Sequence, residues 1–304
     1  MDDTTQAELK ARYIAAQDSF IDKVRKDPNV IAIIISGSLA YDVIWEKSDI
    51  DMTMIIRDQP LATTTYCIVE DGILINVYLM VRSVFKRGLE RAIGGSFDQS
   101  YFSKGIMVYS TDDSLIEYFE DLKKVGLDDI AVTALHIANQ LVFLREKSQK
   151  WLTVRKDLLY AQYFLLKAAE TVAHMELCIQ GEAISREAIQ RTLILNPDAI
   201  FPFYQDPMSH HMSVEEIENG IERIGKILQL YLPIYSKPVI EFMSDQEIKT
   251  VTLINKHFHM HSDGLIGIMD YLVENGVIDK VSQTIRITPK SKPAVEEIGY
   301  LYIP

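Results

Sequence analysis

The sequence predicts an α+β fold in three parts: a mixed β-sheet with helices packed against it, a helix bundle, and a small unit of helices and short strands. Three observations carry this prediction. An unbroken apolar run, VIAIII at 30–35, is followed by β-rich segments and by Asp71-Gly72, a pair favoured in two-residue hairpins. From Asp128 the texture changes to long helical periodicities without strand signals. Around Lys237-Pro238 it changes again, to shorter helices interleaved with short β-rich stretches.

Residues 5–26 place Leu9, Tyr13, Ile14, Phe20, Ile21 and Val24 at helical spacing, and Asp27-Pro28-Asn29 closes that helix. The 30–35 run is continuous, as in a strand covered on both faces. Residues 50–56 form a second strand, and 63–70 and 73–81 flank Asp71-Gly72 as a hairpin. A basic helix at 83–93 carries Lys86, Arg87 and Arg91 on one side; a short strand follows at 105–110. Asp112 or Asp113 then caps a helix running to about 124. Helices at 129–147, 154–180, 185–195 and 214–232 build the bundle, interrupted by a Pro- and aromatic-rich loop at 196–211. In the last part, 244–258 and 265–275 read as helices, 277–281 and 284–287 as a short hairpin, and 293–299 as a closing helix. The expected domains are 1–126, 127–240 and 241–304.

Composition narrows the function. A chain of 304 residues has material for two or three cores, and 48% hydrophobic with 24% charged residues is ordinary for a globular protein. The formal charge of -12 disfavours nucleic acid and anionic membranes as broad partners. Cys67 and Cys178 fit no metal or redox spacing and read as reduced, buried thiols. The acidic start, MDDTTQAELK, is unlike a secretory signal, and the 30–35 run is too short to cross a bilayer. A cytoplasmic location is expected.

The chemistry concentrates in SGSLAYDVIWEKSDIDMTM, residues 36–54. Residues two apart on a strand share a face, about 6.5–7 Å apart along the chain, so Asp49 and Asp51 project together while Ile50 and Met52 face the core. Two ionised carboxylates side by side repel unless a cation lies between them, and Mg²⁺ favours carboxylate and phosphate oxygens together. Gly37 lets backbone approach a phosphate, and the Ser38 hydroxyl and neighbouring N–H groups can bind its oxygens. A metal–nucleotide site at a sheet edge is the expectation.

An apolar strand, Gly-Ser, ten intervening residues and then Asp-Ile-Asp-Met is the pattern of the DNA polymerase β-like nucleotidyltransferase superfamily, which this sequence resembles over roughly residues 30–110. The resemblance, closest to small-substrate and antibiotic nucleotidyltransferases, implies a mixed sheet carrying the acids. It implies transfer of a nucleoside monophosphate from a nucleoside triphosphate such as ATP to an acceptor hydroxyl, with pyrophosphate leaving. Gly37 and Ser38 would hold the triphosphate; Asp49 and Asp51 would bind Mg²⁺ and be the catalytic acids. The superfamily's third acid, on a strand after the hairpin, falls at Asn76 in ILINVY. Asparagine can ligate a metal but brings no charge and accepts no proton. Asp71, Glu70 or Asp98 could substitute, a weaker base could act through water, or the site could bind nucleotide without turnover.

The other candidates are less specific. Lys86, Arg87, Arg91 and Lys104 could reach phosphates, although a solvated helix face explains the first three. Ser96 and Ser100 in GGSFDQS could serve a substrate loop, and His257, His259 and His261 could gather a metal on one strand face. His210-His211 sits in a loop. The bundle resembles the helical partners of small-substrate nucleotidyltransferases and would wall an acceptor cleft. A helical nuclease partner would need an Arg and a His within about six residues, and Arg155 and His174 are too distant. Residues 264–299 look like a winged helix. Its recognition-helix candidate offers Asp270 and Glu274 and no cation, so packing or homodimerisation is the better reading. The alternative to an enzyme is a nucleotide sensor using that unit for protein or DNA contact.

Overall fold

The computed structural model describes residues 3–37, 44–91, 105–121, 127–182, 184, 187–260, 262–288, 290, 292 and 294–304. The chain separates into two compact units, Met1–Val125 and Gly126–Pro304. Among the described residues no helix is long and apolar enough to cross a membrane.

The first unit is a five-stranded mixed sheet in the order β3-β4-β2-β1-β5, with β1 Val30–Ser36, β2 Ile50–Ile56, β3 Thr65–Glu70, β4 Ile73–Val81 and β5 Ile106–Ser110. Only β2 and β4 pair in parallel. Every residue of β1 is buried, which is why its sequence shows no polar alternation: both faces are covered. Helix α1, Asp3–Val24, lays Leu9, Tyr13, Ala16 and Phe20 against Ile33, Ile35, Ile50, Met52, Ile75 and Val77. Helices α2, Arg82–Arg91, and α3, Asp113–Asp121, cover the opposite face, where Phe85, Leu115 and Phe119 meet Ala32, Ile34 and Ile55. The β3–β4 turn has Asp71 at φ 49° and Gly72 at φ 77°, the paired left-handed conformation that the sequence signal requires.

The second unit begins with α4, Leu127–Lys150, which runs into a π-helical stretch, Trp151–Arg155. Lys156 at φ 55° ends it, and Asp157 caps α5, Leu158–Ile179, by accepting from the Tyr160 N–H at 2.9 Å. The expected start of this helix at 154 is therefore replaced by the π segment and a tight turn. There follow α6, Ala188–Leu195; α7, Val214–Tyr235, opened by a Ser213/Glu216 capping box; and α8, Lys237–Phe242. The loop expected at 196–211 contains two short helical turns, Pro197–Ile200 and Gln205–Ser209.

Strand β6, Lys249–Thr250, precedes α9, Val251–Phe258, and α10, Ser262–Glu274; β7, Asp279–Ile285, and β8, Val295–Leu301, complete an antiparallel sheet ordered β6-β8-β7. The helix expected at 293–299 is thus a strand, and the short hairpin expected at 277–287 is one strand, β7, paired with β8. Gly299 shows the reason. A Cβ there would lie 2.7 Å from Ile248 and 3.4 Å from the Lys249 carbonyl oxygen, so the glycine permits the close approach of β6 instead of weakening a helix. One apolar cluster joins Leu141, Val172 and Leu228 of the bundle to Val239, Met243, Leu272 and Tyr300, so the core is continuous across position 240.

Candidate functional site

The site is built where β1 ends and β2 begins. In the sheet's register Ser36 faces Asp51, Asp51 faces Asn76 and Asn76 faces Cys67, a row across four strands. Partners in register share a face, and this face also carries Thr53 and the core residue Ile55. Ile50 and Met52, on the other face, are fully buried against the α1 side. Asp49, two residues before Asp51, joins the row: its Oδ2 accepts from Asn76 Nδ2 at 2.5 Å.

Gly37 closes the arrangement. It follows β1 at φ +73°, and a Cβ built on it would stand 2.5 Å from Asp51 Oδ2. Only glycine fits both the backbone angle and the carboxylate lying against the turn. The structure therefore brings Gly37, Asp49, Asp51 and Asn76 together on one face at one sheet end. Ser38 lies outside the described residues.

Helix α1 holds the approach to the acids, a role the sequence did not reveal. Buried Tyr13 donates to the Ser48 carbonyl at 2.7 Å, with the Trp45 and Glu46 carbonyl oxygens at 3.3 and 3.4 Å. Gln6 donates to the Ile44 carbonyl at 3.0 Å. The turn itself is closed by Ser48 N–H to the Trp45 carbonyl at 2.8 Å. Burial raises the Tyr13 phenol, Arg12 opposes that, and the Asp49 and Glu46 carboxylates reinforce it. A tyrosine at a helical core position carries no mark of this task; only the thirty-odd residues of chain between its ends, folded back, reveal it.

Of the proposed replacements for the third acid, Glu70 is otherwise engaged. Glu70 accepts from Lys23 at 2.6 Å and from Ser19 at 2.6 Å, and those bonds hold its carboxyl below the usual range. Asp71 sits in the hairpin turn, exposed. Asp98 lies outside the described residues, as do Lys104, Ser96 and Ser100. Lys86 donates to Ser114 Oγ at 3.1 Å. His257 is stacked on Phe242 at 3.8 Å at a helix end, His259 ends that helix in the left-handed region, and His261 lies outside the described residues. His210 bonds Glu216 at 2.9 Å beside the α7 capping box. Among the described residues no group of three or more His, Cys, Asp or Glu is placed to hold a metal. Cys178 is buried, and burial pushes its thiol up to about 12; Cys67, expected buried, is exposed because β3 is an edge strand.

The donor set bears on a cation. Asp49 and Asp51 supply hard oxygens, and Ser36 Oγ and Thr53 Oγ1 are buried without a hydrogen-bond partner on the same face. This suits one Mg²⁺ shared with phosphate oxygens. A second cation would need a further charged ligand, and Asn76 is neutral.

By sequence, the chain matches no protein-family model and no curated protein. By structure it is similar to a nucleotidyltransferase-like protein from Exiguobacterium sibiricum 255-15, at TM-score 0.68 over 95% of this chain and 99% of that one, with 15% identity. The fold is nucleotidyltransferase-like. In this nucleotidyltransferase-like fold the Gly37 turn and the two acids occupy the end of the central strands, where two neighbouring strand ends converge.

Proposed function

We propose that the chain is a Mg²⁺-dependent nucleotidyltransferase that moves a nucleoside monophosphate from a nucleoside triphosphate to a hydroxyl of a small-molecule acceptor. The observation that carries this reading is the Asp51 carboxylate lying against the left-handed Gly37 turn, with Asp49 on the same face. Mg²⁺, when bound, would neutralise charge on the triphosphate and orient it for attack. Asp49 and Asp51 would hold the ion, and Gly37, Ser38 and the backbone N–H groups of their turn would hold the triphosphate. Asn76, through its bond to Asp49, would fix the direction of that carboxylate. Tyr13 and Gln6 would keep the segment before Asp49 in place.

The test is calorimetric titration of Mg–ATP and other Mg-nucleotides, with pyrophosphate release measured over a panel of hydroxylated acceptors. Wild type should bind and turn over. Asp51→Asn should abolish turnover while leaving the melting temperature within a few degrees, since Asp51 is needed for charge. Turnover retained in Asp51→Asn would refute the reading.

A second reading is favoured by Asn76: a nucleotide-binding regulator that does not turn nucleotide over. Its signature is Mg–nucleotide binding lost in Asp49→Ala, without pyrophosphate release from any acceptor. The β6-β8-β7 sheet with α9 and α10 supports a winged-helix-like last unit, which in that reading would contact a partner.

A further inference from the structure

The tip of the α4–α5 hairpin has a surface at odds with the rest of the chain. The formal charge of the whole is -12, yet residues 147–167 hold five cations, Lys147, Lys150, Arg155, Lys156 and Lys167, against one acid, Asp157, which is used as a helix cap. The two helices meet there through buried Ser148, which donates to the Ala161 carbonyl at 3.0 Å. Beyond that bond the tip is aromatic. The Trp151 and Tyr160 rings are 4.3 Å apart, and Tyr160 and Tyr163 are 5.5 Å apart; Phe164, buried, anchors both tyrosines. Arg155 lies 5.9 Å from the Trp151 ring and Lys167 5.4 Å from Tyr163.

The core explains Phe164 and also Trp151, which is half-buried against it, but not the two tyrosines. Tyr160 and Tyr163 are 43% and 45% exposed, and they stand one helical turn apart on the same face. The π-helical stretch at 151–155 and the left-handed Lys156 turn the chain sharply between Trp151 and Tyr160, which lets their rings meet while Arg155 and Lys156 remain exposed. Neighbouring aromatic faces interleaved with cations are the pattern that takes stacked bases and phosphates together.

We propose that this hairpin tip binds single-stranded nucleic acid, with bases stacking on Tyr160 and Tyr163 and phosphates meeting Lys150, Arg155, Lys156 and Lys167. The net charge of the chain argues against extended anionic partners, and that argument is what selects a single strand. A bilayer or a duplex presents a broad surface of fixed negative charge, whereas the cations are confined to residues 147–167 of a chain whose formal charge is -12. A flexible strand can follow that short positive strip. The proposal concerns residues 126–304 alone and requires neither nucleotide binding at the carboxylate pair nor turnover.

The 304-residue chain is titrated with fluorescein-labelled single-stranded RNA and DNA of about 12 nucleotides, within the range one such surface covers. Anisotropy is followed, together with tryptophan emission in a Trp45→Phe background, where Trp151 is the one tryptophan left. Binding at low salt, a change in Trp151 emission, and a slope of log K against log salt of about -3 for four phosphate contacts are expected. Tyr163→Ala should weaken binding about tenfold or more. Arg155→Glu with Lys156→Glu should weaken it and flatten the salt slope, while Asp51→Asn should leave it unchanged. Circular dichroism and melting of each variant separate lost binding from lost fold, and Tyr163→Phe should restore affinity. No binding at low salt would overturn the proposal. So would equal competition by inorganic polyphosphate with Tyr163→Ala unaffected, or preference for anionic phosphatidylglycerol vesicles over the oligonucleotide.

Discussion

A methyl group at position 37 would stand 2.5 Å from Asp51 Oδ2, on a backbone at φ +73°. Gly37→Ala therefore pays twice. Left-handed strain on a non-glycine residue costs about 1 kcal/mol or more, and the carboxylate has to move away. The expected outcome is a modest drop in melting temperature with a much larger loss of Mg–ATP affinity in calorimetric titration. At this scale the acids' shared face follows from their spacing of two, and the neutral residue at 76 is plain in ILINVY. That Asn76 reaches Asp49 across 27 residues of chain is not, because side-chain partners between strands depend on register. For the same reason Glu70 is indistinguishable in the sequence from a catalytic acid until Lys23 and Ser19 are seen beside it.

Two elements decide how firmly the site is held. Helix α1 grips the 44–48 turn through Tyr13, and Tyr13→Phe removes the 2.7 Å bond to Ser48 without leaving space behind. A cost of about 1 kcal/mol in denaturant unfolding is expected, with weaker Mg–ATP binding because Asp49 follows that turn directly. Helix α2 is tied to the start of α3 by Arg82, which bonds Asp112 at 2.6 Å and Ser114 at 3.1 Å. The Arg82 bond, then the Ser114 bond, hold the Asp112 carboxyl down at about 2. A depressed carboxyl contributes stability above its unfolded value near 3.8 and loses it as pH falls through about 2. Acid titration of stability should therefore show a step in that window for wild type and a smaller one for Arg82→Ala. Strands β1 to β4 are legible in the sequence because burial on both faces and the Asp71-Gly72 turn leave clear marks. Strand β8 is not: Glu296 and Glu297 are adjacent and fall on opposite faces, so Val295 to Leu301 shows no polar alternation and gains its order from pairing with β7 and β6.

The molecule as a whole consists of two compact units with separate apolar clusters, and the carboxylate pair belongs to the first. A ligand that binds the native form of one unit stabilises that unit by mass action. Differential scanning calorimetry should show unfolding broader than a single two-state transition, and Mg–ATP should raise only the component assigned to residues 1–125. One sharp transition, moved entire by the nucleotide, would refute that assignment. The sequence alone determined the α+β class, the order of strands β1 to β5, the common face of Asp49 and Asp51 and the neutral residue opposite, because these follow from local periodicity and turn chemistry. Tertiary structure alone decided that Asp51 lies on the Gly37 turn, that Tyr13 holds the approach, and that residues across position 240 share one core. Those are contacts between residues distant in the chain, and distance along the chain carries no information about distance in space until the sheet register and helix packing are in place.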